Sequence, residues 1–452
     1  MKKLLIIATL IMVVMMVCSI SFAADTSIEG LSSMASSVDS KSLFSGLNTG
    51  ASIPKDGIIR VQLDGKILDF TDSEGNVVNP QIISDRTMVP MRKIFETFDA
   101  TVEWDEPTRT VKATTPERVI TLTIDNNIAT VNELSSNTER KVELDQSPVI
   151  VDGRTLVPVR FIAESLGKEV GWDNENRTVI IIDCDKLAEL LKEKVPSLQK
   201  LFDMKIEEVN SFKSTSALSG RFAFETESES QAITLDGNAK VTVNKAQEME
   251  TELKLSIKGE GEELSQQLAQ NGYDDINAKV IIKGENLYIG ILDGEDYKWT
   301  DASQSMSSVS NASIAYNIDK ISDYRAVVEL LKSTIGDLTV NSYAIITSLI
   351  DSLGVVLSDD AISLTESNGQ KILAMKFDFD KFYNQYLDNE KAFDFVLNVV
   401  LVARDQKIQK ETIILDGSIN DVQGQKVELN FKIESEYSDL NQDFTILAPA
   451  NV

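Results

Sequence analysis

Residues Arg86–Arg92 read Arg-Thr-Met-Val-Pro-Met-Arg, and residues Arg154–Arg160 read Arg-Thr-Leu-Val-Pro-Val-Arg. The correspondence continues without a gap at a constant offset of 68 residues, so that Trp104-Asp105 aligns with Trp172-Asp173 and Arg109–Val111 aligns with Arg177–Val179. Repetition of this extent is typical of a duplicated structural unit. The duplication therefore decides the fold of this part of the chain.

Each copy has the pattern of a small α/β module. In the second copy we predict strands at Val119–Ile124 and Ile128–Val131, a helix directly after Val157-Pro158, and a hairpin from Val170 to Ile182. Proline fits the start of a helix because its missing N–H is no loss in the first turn, and Gly167 is a natural helix stop. The first copy repeats this order from Ile59 onward.

This pattern resembles a known family. Residues Gly153–Gly167, followed by Val-Gly-Trp-Asp and Arg-Thr-Val, are similar to the copper amine oxidase N-terminal (stalk) domain of secreted Gram-positive proteins. The resemblance covers residues 57–183 in two copies, and the first copy departs from it at Ser84-Asp85 and Phe98–Ala100. It implies a stalk and no oxidase activity, because that activity resides in another domain with histidine-bound copper and this chain has no histidine.

The repeated Arg, Glu and Trp residues have two interpretations. They could form a ligand-binding constellation, or they could hold the module together, with Arg92 and Arg160 pairing with Glu96 and Glu164 one helical turn away. Because a duplicated scaffold needs the same packing twice, repetition of the whole set favours the second interpretation. Trp104 and Trp172 are accordingly predicted to lie in the core.

The N-terminus has the layout of a secretory signal. Lys2 and Lys3 precede an apolar run, and small residues before Ala23 suit cleavage there, which predicts a signal peptide at 1–23. An uncleaved membrane anchor and a lipoprotein modified at Cys18 are the alternatives. Residues 24–56 are rich in Ser, Gly and Asp and are predicted to be a flexible linker. Removal of the signal leaves a single cysteine, Cys184, so no intramolecular disulfide is expected.

Composition excludes several function classes. The absence of histidine removes Ser-His-Asp and Cys-His catalysis and histidine-ligated metals. A net charge of −27 disfavours nucleic acid as a partner. Two acidic turns, Asp293–Asp296 and Asp173–Glu175, have carboxylates that suit calcium, but neither has EF-hand spacing, and acidic surface turns are the commoner explanation. We therefore assign no catalytic, cofactor-binding or metal-ligating residue and expect no cofactor.

Residues 185–452 follow a different pattern. A broken amphipathic helix at Lys186–Phe202 precedes long alternating segments, including Ile233–Val243 and Phe393–Ile433, with helices at Tyr324–Ile335 and Tyr343–Leu353. The layout resembles the lipoprotein-carrier family, and two short segments, Gly284–Ile289 and Asn441–Pro449, are similar in sequence to that family. That resemblance implies a curved sheet wrapped over helices around an apolar cavity.

The predicted fold class is therefore α+β: two small α/β stalk modules in tandem (57–113 and 117–183, within 57–184), followed by a large curved antiparallel sheet domain (185–452) with helices on one face. The leading functional hypothesis is a non-catalytic cell-envelope scaffold, secreted or wall-associated, whose β-domain holds an apolar or lipid-like ligand and which contacts a cell-wall or envelope component. The alternatives are a purely structural or adhesive surface protein and, third, a secreted hydrolase that uses two carboxylates.

Overall fold

The computed structural model describes residues 56–449, with gaps at 72–74, 208, 226–229, 271, 273, 304–321, 379–392 and 421–425. The predicted signal peptide (1–23), Cys18 and nearly all of the predicted linker (24–56) lie outside the described residues.

The described elements of the repeat region are mostly strands. They are β1 Arg60–Leu63, β2 Lys66–Ile67, β3 Gln81–Ile83, β4 Arg86–Pro90, α1 Met91–Thr97, β5 Thr101–Asp105, β6 Thr110–Thr114, β7 Arg118–Thr123, β8 Ile128–Glu133, β9 Thr138–Glu143, β10 Val149–Val151, β11 Arg154–Pro158, α2 Val159–Ser165, β12 Glu169–Asp173 and β13 Thr178–Ile182. As predicted, a proline immediately precedes each helix, and Gly167 adopts a left-handed φ of 71° after α2. Asp99 takes the same conformation (φ 58°) after α1, which explains the less typical helix stop of the first copy.

The rest of the chain supplies the remaining helices and one large sheet. The elements are α3 Cys184–Lys194, α4 Leu198–Asp203, β14 Phe212–Glu225, β15 Ser230–Val243, β16 Met249–Gly259, α5 Glu262–Gln270, β17 Asp275–Lys283, β18 Asn286–Asp293, β19 Asp296–Asp301, α6 Tyr324–Ile335, α7 Ser342–Val356, β20 Ile362–Ser367, β21 Gln370–Asp378, β22 Phe393–Arg404, β23 Lys407–Asn420 and β24 Lys426–Ser438. The helix predicted at Lys186–Phe202 is broken as expected, between Lys194 and Leu198, where the sequence contains Val195-Pro196, and the described parts of the predicted strand segments are strands.

The described residues form two compact units. Residues 56–189 and 331–349, which we call the repeat unit, form one; residues 190–330 and 350–449, which we call the large-sheet unit, form the other. The coarse α+β prediction is confirmed, since the chain is mostly β with several sheets and helices. None of the helices in the described part of the chain is both long and apolar enough to span a membrane.

The two copies of the repeat meet at a pseudo-two-fold axis. Strands β4 and β11 pair antiparallel, and Val89 lies opposite Val157, its equivalent 68 residues later. This pair is the centre of a four-stranded sheet in the order β10-β11-β4-β3. The sequence duplication therefore folds as an internal pseudo-dimer.

The copies also exchange strands, so the predicted arrangement of two separate tandem modules is not confirmed. The hairpin of the first copy (β5-β6) continues into β7, β8 and β9, which belong to the second copy. The hairpin of the second copy (β12-β13) pairs with β1, and the β1–β13 pairing is parallel. Because the first and last strands of the repeat lie side by side, both copies contribute to one apolar core.

A segment from later in the chain, residues 331–349, completes the repeat unit. The Val340 N–H donates to Asp173 Oδ2 (3.1 Å), and Gln62 Nε2 donates to the Val340 carbonyl (3.1 Å). A Cβ on Gly171 would lie 2.5 Å from Leu338 Cβ, so only glycine allows this approach. The equivalent residue in the first copy is Glu103, so the copies differ where this segment packs.

The large-sheet unit is built on a single eleven-stranded sheet. Its order is β19-β18-β17-β16-β15-β14-β24-β23-β22-β21-β20, and neighbouring strands are antiparallel throughout. Two meanders, β14–β19 and β20–β24, join where β14 pairs with β24 over thirteen residue pairs, from Lys213 opposite Ser438 to Glu225 opposite Lys426. This long-range pairing places residues about 220 positions apart side by side at the centre of the sheet.

Candidate functional site

Residues along the central strands of the large sheet alternate between buried and exposed, so the sheet has a buried face and an exposed face. On β14 the residues Phe212, Ser214, Ser216 and Leu218 are buried, while the residues between them are exposed. The pairing registers extend this buried face across the sheet, because residues that lie opposite each other share a face. The candidate site lies on this buried face.

Most of the buried face is apolar. One row of paired residues runs from β22 to β17 and contains Val399, Ile413, Ile433, Leu218, Gly237, Leu255 and Ile276. Most of these side chains belong to one hydrophobic cluster. Their burial is what the alternating sequence pattern predicts for one face of a sheet.

The next row is interrupted by polar residues. Glu411 on β23 lies opposite Ser435 on β24, which lies opposite Ser216 on β14. The two serine hydroxyls hydrogen-bond each other at 2.7 Å. The Tyr437 hydroxyl donates to Glu411 Oε2 at 2.8 Å, and Glu411 is only 1% exposed. We call this group, together with Ser214 and Thr251, the polar patch.

Two hydroxyls of the polar patch have no hydrogen-bond partner within the described part of the chain. They are Ser214 Oγ and Thr251 Oγ1, on residues that are 4% and 1% exposed. Both lie on one row, since Ser214 pairs with Val241 and Val241 with Thr251. A buried hydroxyl without a partner costs about 1–3 kcal/mol, and such groups are rare in native proteins. We therefore take Ser214 and Thr251 as the candidate site residues of this face.

Electrostatics fix the protonation of Tyr437. Burial, followed by the Glu411 charge and the hydrogen bond to Glu411, raises the pKa of the Tyr437 phenol well above its usual value. The phenol consequently stays a neutral donor. The Phe212 ring packs against it in an edge arrangement, with centroids 5.6 Å apart. Tyr437 thus connects the carboxylate to the apolar part of the face.

A cavity of about 340 Å³ lies on the opposite, exposed face. Its lining is Arg221, Asp394, Asp416, Gly417, Ser418, Lys426, Glu428, Leu429 and Asn430. Arg221 makes two hydrogen bonds to Glu260 (2.7 and 3.1 Å), and hydrogen bonding from Lys426 lowers the pKa of Glu428. Because these charged side chains pair with each other at the protein surface, this surface cavity is polar. It is not the apolar cavity that the lipoprotein-carrier resemblance predicts, and the apolar cavity stays a prediction.

The repeated residues behave differently in the two copies. Arg92 and Glu96 form the predicted ion pair at 3.7 Å, with both side chains exposed. The equivalent Arg160 and Glu164, both described and both exposed, form no ion pair within 4 Å. Exposed pairs of this kind contribute little to stability.

The prediction that Trp104 and Trp172 are core residues is wrong for Trp172. Its side chain is 36% exposed, and Trp104 is only partly buried against the core. Each tryptophan lies on an edge strand one residue before a strand end, so neighbours cover only part of the ring. The Trp172 indole N–H donates to Asn174 Oδ1 (3.4 Å), and that of Trp104 donates to Glu106.

The described residues offer no grouping of three Asp, Glu or Cys side chains suited to a metal ion. Asp173, one of the acidic residues considered for calcium, already accepts hydrogen bonds from Asn176 and from the Val340 N–H. Burial raises the pKa of its carboxyl, but these hydrogen bonds outweigh that effect and lower it overall. Cys184 is fully buried, which disfavours pairing with another chain.

Comparison with known proteins supports the stalk domain. Residues 72–181 match the copper amine oxidase N-terminal domain family. The match spans the core of the repeat and leaves the large sheet uncovered. No curated protein matches the chain.

Similar solved structures are distant. A lipovitellin structure concerned with lipid–protein interactions is 8% identical, covers 54% of this chain and has a TM-score of 0.21; this chain spans only 26% of that protein. A DUF1329 family protein from Desulfovibrio piger is 6% identical over 56% of this chain and 94% of its own length, with a TM-score of 0.16. A β-barrel-like DUF1849 protein from Brucella abortus is 6% identical over 53% of this chain and 100% of its own length, with a TM-score of 0.14.

Sequence reasoning missed the polar patch. The sequence pattern contained the signal. Ser214 and Ser216 are an even number of residues from Phe212 and Leu218 and therefore lie on the same face of the strand, and Glu411 lies on the same face as Ile413. A polar residue at an apolar position of a long strand indicates a buried polar group. The partners could not be identified, because β14, β23 and β24 come together only through long-range pairing.

Proposed function

We propose that this protein is a non-catalytic binding and scaffold protein of the cell envelope, in which the large sheet holds an amphipathic ligand against its buried face. The repeat unit serves as the stalk-like scaffold. Export through the N-terminal signal and contact with an envelope component are parts of the same proposal.

One observation carries the binding proposal. Ser214 and Thr251 place two buried, unpartnered hydroxyls on the same face of the sheet as a row of Leu, Ile and Val side chains. A ligand with an apolar chain and a polar end would satisfy these hydroxyls and bury its chain beside them. Burial of apolar area contributes roughly 25 cal/mol per Å², and the hydrogen bonds fix the orientation of the ligand.

The residues of the patch support binding better than catalysis. Nucleophilic catalysis by serine needs a neighbouring base to accept its proton, and the chain contains no histidine. Ser216 and Ser435 hydrogen-bond each other, while the Glu411 carboxylate accepts from the neutral Tyr437 phenol. The patch therefore lacks an arrangement in which a serine hydroxyl is activated by a base.

The test uses the full chain without its signal peptide, purified without detergent. Titration with a neutral environment-sensitive dye such as Nile red should give saturable binding with about one site per chain. The double variant Ser214→Ala/Thr251→Val should weaken binding of an oxygen-bearing amphiphile that competes with the dye. Thr215→Val and Ser219→Ala are matched controls, since these hydroxyls lie on the exposed face of the same strand.

The opposite result favours the structural or adhesive alternative. If the dye does not saturate and no amphiphile displaces it, the buried face is closed by its own side chains and the binding proposal is wrong. Cell fractionation tests the envelope location separately: the proposal requires the mature chain outside the cytoplasm.

A further inference from the structure

We infer that the exposed face of the large sheet contains a docking site for a basic segment of a partner protein, in which an arginine side chain stacks on Trp299 and pairs with Asp301. The site lies on β18 and β19, at one end of the sheet. Because this surface is on the face opposite the polar patch, the inference goes beyond the proposed function and does not depend on it.

The pairing register places both residues on the exposed face. Residues that lie opposite each other share a face, and Ile289 is connected in this way, through β17, to Thr251 of the polar patch. Its neighbour Gly290 therefore belongs to the exposed face, as does Trp299, which lies opposite Gly290. Asp301 follows Trp299 on the same face of β19, with the two Cα atoms about 7 Å apart.

The Trp299 indole lies flat on the sheet. A Cβ on Gly290 would be 3.0, 3.0 and 3.1 Å from three atoms of the indole, and such similar distances mean that the face of the ring, and not its edge, covers the glycine. The Tyr297 ring lies beside it, with centroids 5.8 Å apart and the two planes inclined by 39°. Because one face of the partly buried indole covers Gly290, the other face is directed away from the sheet.

The indole N–H of Trp299 differs from those of the other two tryptophans. The N–H groups of Trp104 and Trp172 donate to Glu106 and Asn174. That of Trp299 has no acceptor among the residues that the structure describes. It can therefore donate to a backbone carbonyl of a bound peptide.

The carboxylate of Asp301 places a negative charge beside the indole. The Ser303 hydroxyl and N–H both donate to Asp301 Oδ1, the N–H at 2.9 Å. These hydrogen bonds lower the pKa of Asp301, so this exposed carboxylate is ionised at neutral pH. Asp301 Oδ2 accepts no hydrogen bond from the described residues and can pair with a cation.

The charges around the site favour a cationic partner. Lys279 lies opposite Gly290, but its ammonium group forms ion pairs with Glu250 and with Glu252 (3.3 Å), which compensate its charge. Together with Asp301, the local surface has more negative than positive charge, as does the whole chain with its net charge of −27. Such a surface attracts cations and repels anionic polymers.

These features together fit arginine better than other groups. A cation over the face of a tryptophan is attracted by the ring electrons. The planar guanidinium also stacks on aromatic rings and donates two parallel hydrogen bonds to a carboxylate, which a lysine ammonium does not do. A neutral sugar could stack on Trp299 but would gain nothing from the charge of Asp301.

The test follows the indole N–H resonances of the full mature chain by NMR during titration with the peptide acetyl-Gly-Arg-Gly-Arg-Gly-amide. The chain has three tryptophans, and single Trp→Phe variants assign their resonances. The Trp299 resonance should shift saturably, and those of Trp104 and Trp172 should not. Calorimetry should show severalfold weaker binding of the peptide with lysine in place of arginine, and about tenfold weaker binding of the uncharged citrulline peptide.

Variants test the two contacts separately. Trp299→Leu should abolish binding in calorimetry, and Asp301→Asn, which keeps an acceptor for Ser303, should weaken it about tenfold. Asp296→Asn is the matched control, because it removes the same charge from the other face of β19 and should leave the affinity unchanged. Unfolding midpoints within a few degrees of wild type establish that the variants fold.

Three results would overturn the inference. They are the absence of a shift in the Trp299 resonance, equal binding of the citrulline peptide, and a shift produced by a neutral oligosaccharide such as cellohexaose but not by the arginine peptide. None of these measurements involves the buried face, so the amphiphile proposal is decided separately by the dye titration.

Discussion

The repeat unit and the large sheet both bury polar side chains, but the large sheet places several of them along one face of its central strands. The core of the repeat unit is a single apolar cluster drawn from both copies, with Ile94 and its equivalent Ile162 both fully buried. The buried face of the large sheet contains Glu411, Ser214 and Thr251 among its apolar residues. The repeat unit also contains buried polar residues, such as Asp173 and Thr178, which hydrogen-bond to neighbouring residues. The hydroxyls of Ser214 and Thr251 have no such partner among the described residues, which lowers the stability of the large sheet.

Separating the two copies should have the largest effect. A fragment of residues 57–113 loses β13 as the partner of β1, β11 as the partner of β4 and β7 as the partner of β6. We expect it to show no cooperative thermal transition by circular dichroism, because its part of the shared core is left open. A sigmoidal transition would mean that one copy is an independent module. The longer fragment 57–184 is the control that retains every one of these pairings.

Removing the unpartnered hydroxyls should stabilise the ligand-free protein. Ser214→Ala and Thr251→Val each eliminate a buried polar group without a partner, which should raise the free energy of unfolding by up to about 1–3 kcal/mol. Urea unfolding of delipidated protein measures this change. The core substitution Ile162→Ala provides the contrast, with an expected loss of about 2–5 kcal/mol. Destabilisation by both hydroxyl variants would show that the hydroxyls are satisfied.

Tyr437→Phe should destabilise the large-sheet unit by about 1–3 kcal/mol, because Glu411 loses its phenol donor. The folded-state pKa of Tyr437 is raised, so its contribution is fully present below about pH 10 and is lost as pH rises above the pKa of an unfolded tyrosine. The free energy of unfolding should therefore decline less steeply above pH 10 in the variant than in wild type. If the free energy of unfolding declined equally steeply with pH in the two proteins, the raised pKa of Tyr437 would be contradicted.

Trp172→Ala should have the smallest effect. Removal of a buried aromatic side chain costs roughly 3–5 kcal/mol of unfolding free energy. Because the Trp172 indole is 36% exposed, we expect its removal to lower the free energy of unfolding by only about 1 kcal/mol. Chemical unfolding provides the value, and Trp104→Ala, at a partly buried equivalent position, should cost more. The reverse order would mean that Trp172 packs more extensively than its exposure indicates.

Local features of the fold could be predicted from the sequence, and long-range ones could not. Alternation predicted a strand at Ile233–Val243, which the structure extends to Ser230–Val243, and Pro158 and Gly167 indicated the bounds of α2. The pairing of β1 with β13 and of β14 with β24 depends on residues far apart in the chain, for which a single sequence has no signal.

The exposure of Trp172 was predicted wrongly because its strand lies at a sheet edge, which is a property of the topology and not of the residue type. The polar patch escaped notice for the same reason, since Glu411, Ser435 and Ser216 are adjacent only in the assembled sheet.

Native mass spectrometry of the full mature chain tests ligand binding at the polar patch most directly. After delipidation and incubation with an oxygen-bearing amphiphile such as monoolein, the wild-type spectrum should contain a species heavier by one amphiphile, and this species should be strongly reduced in Ser214→Ala/Thr251→Val but retained in Thr215→Val. A wild-type spectrum without the adduct, or an adduct of equal abundance in the double variant, would contradict binding at Ser214 and Thr251.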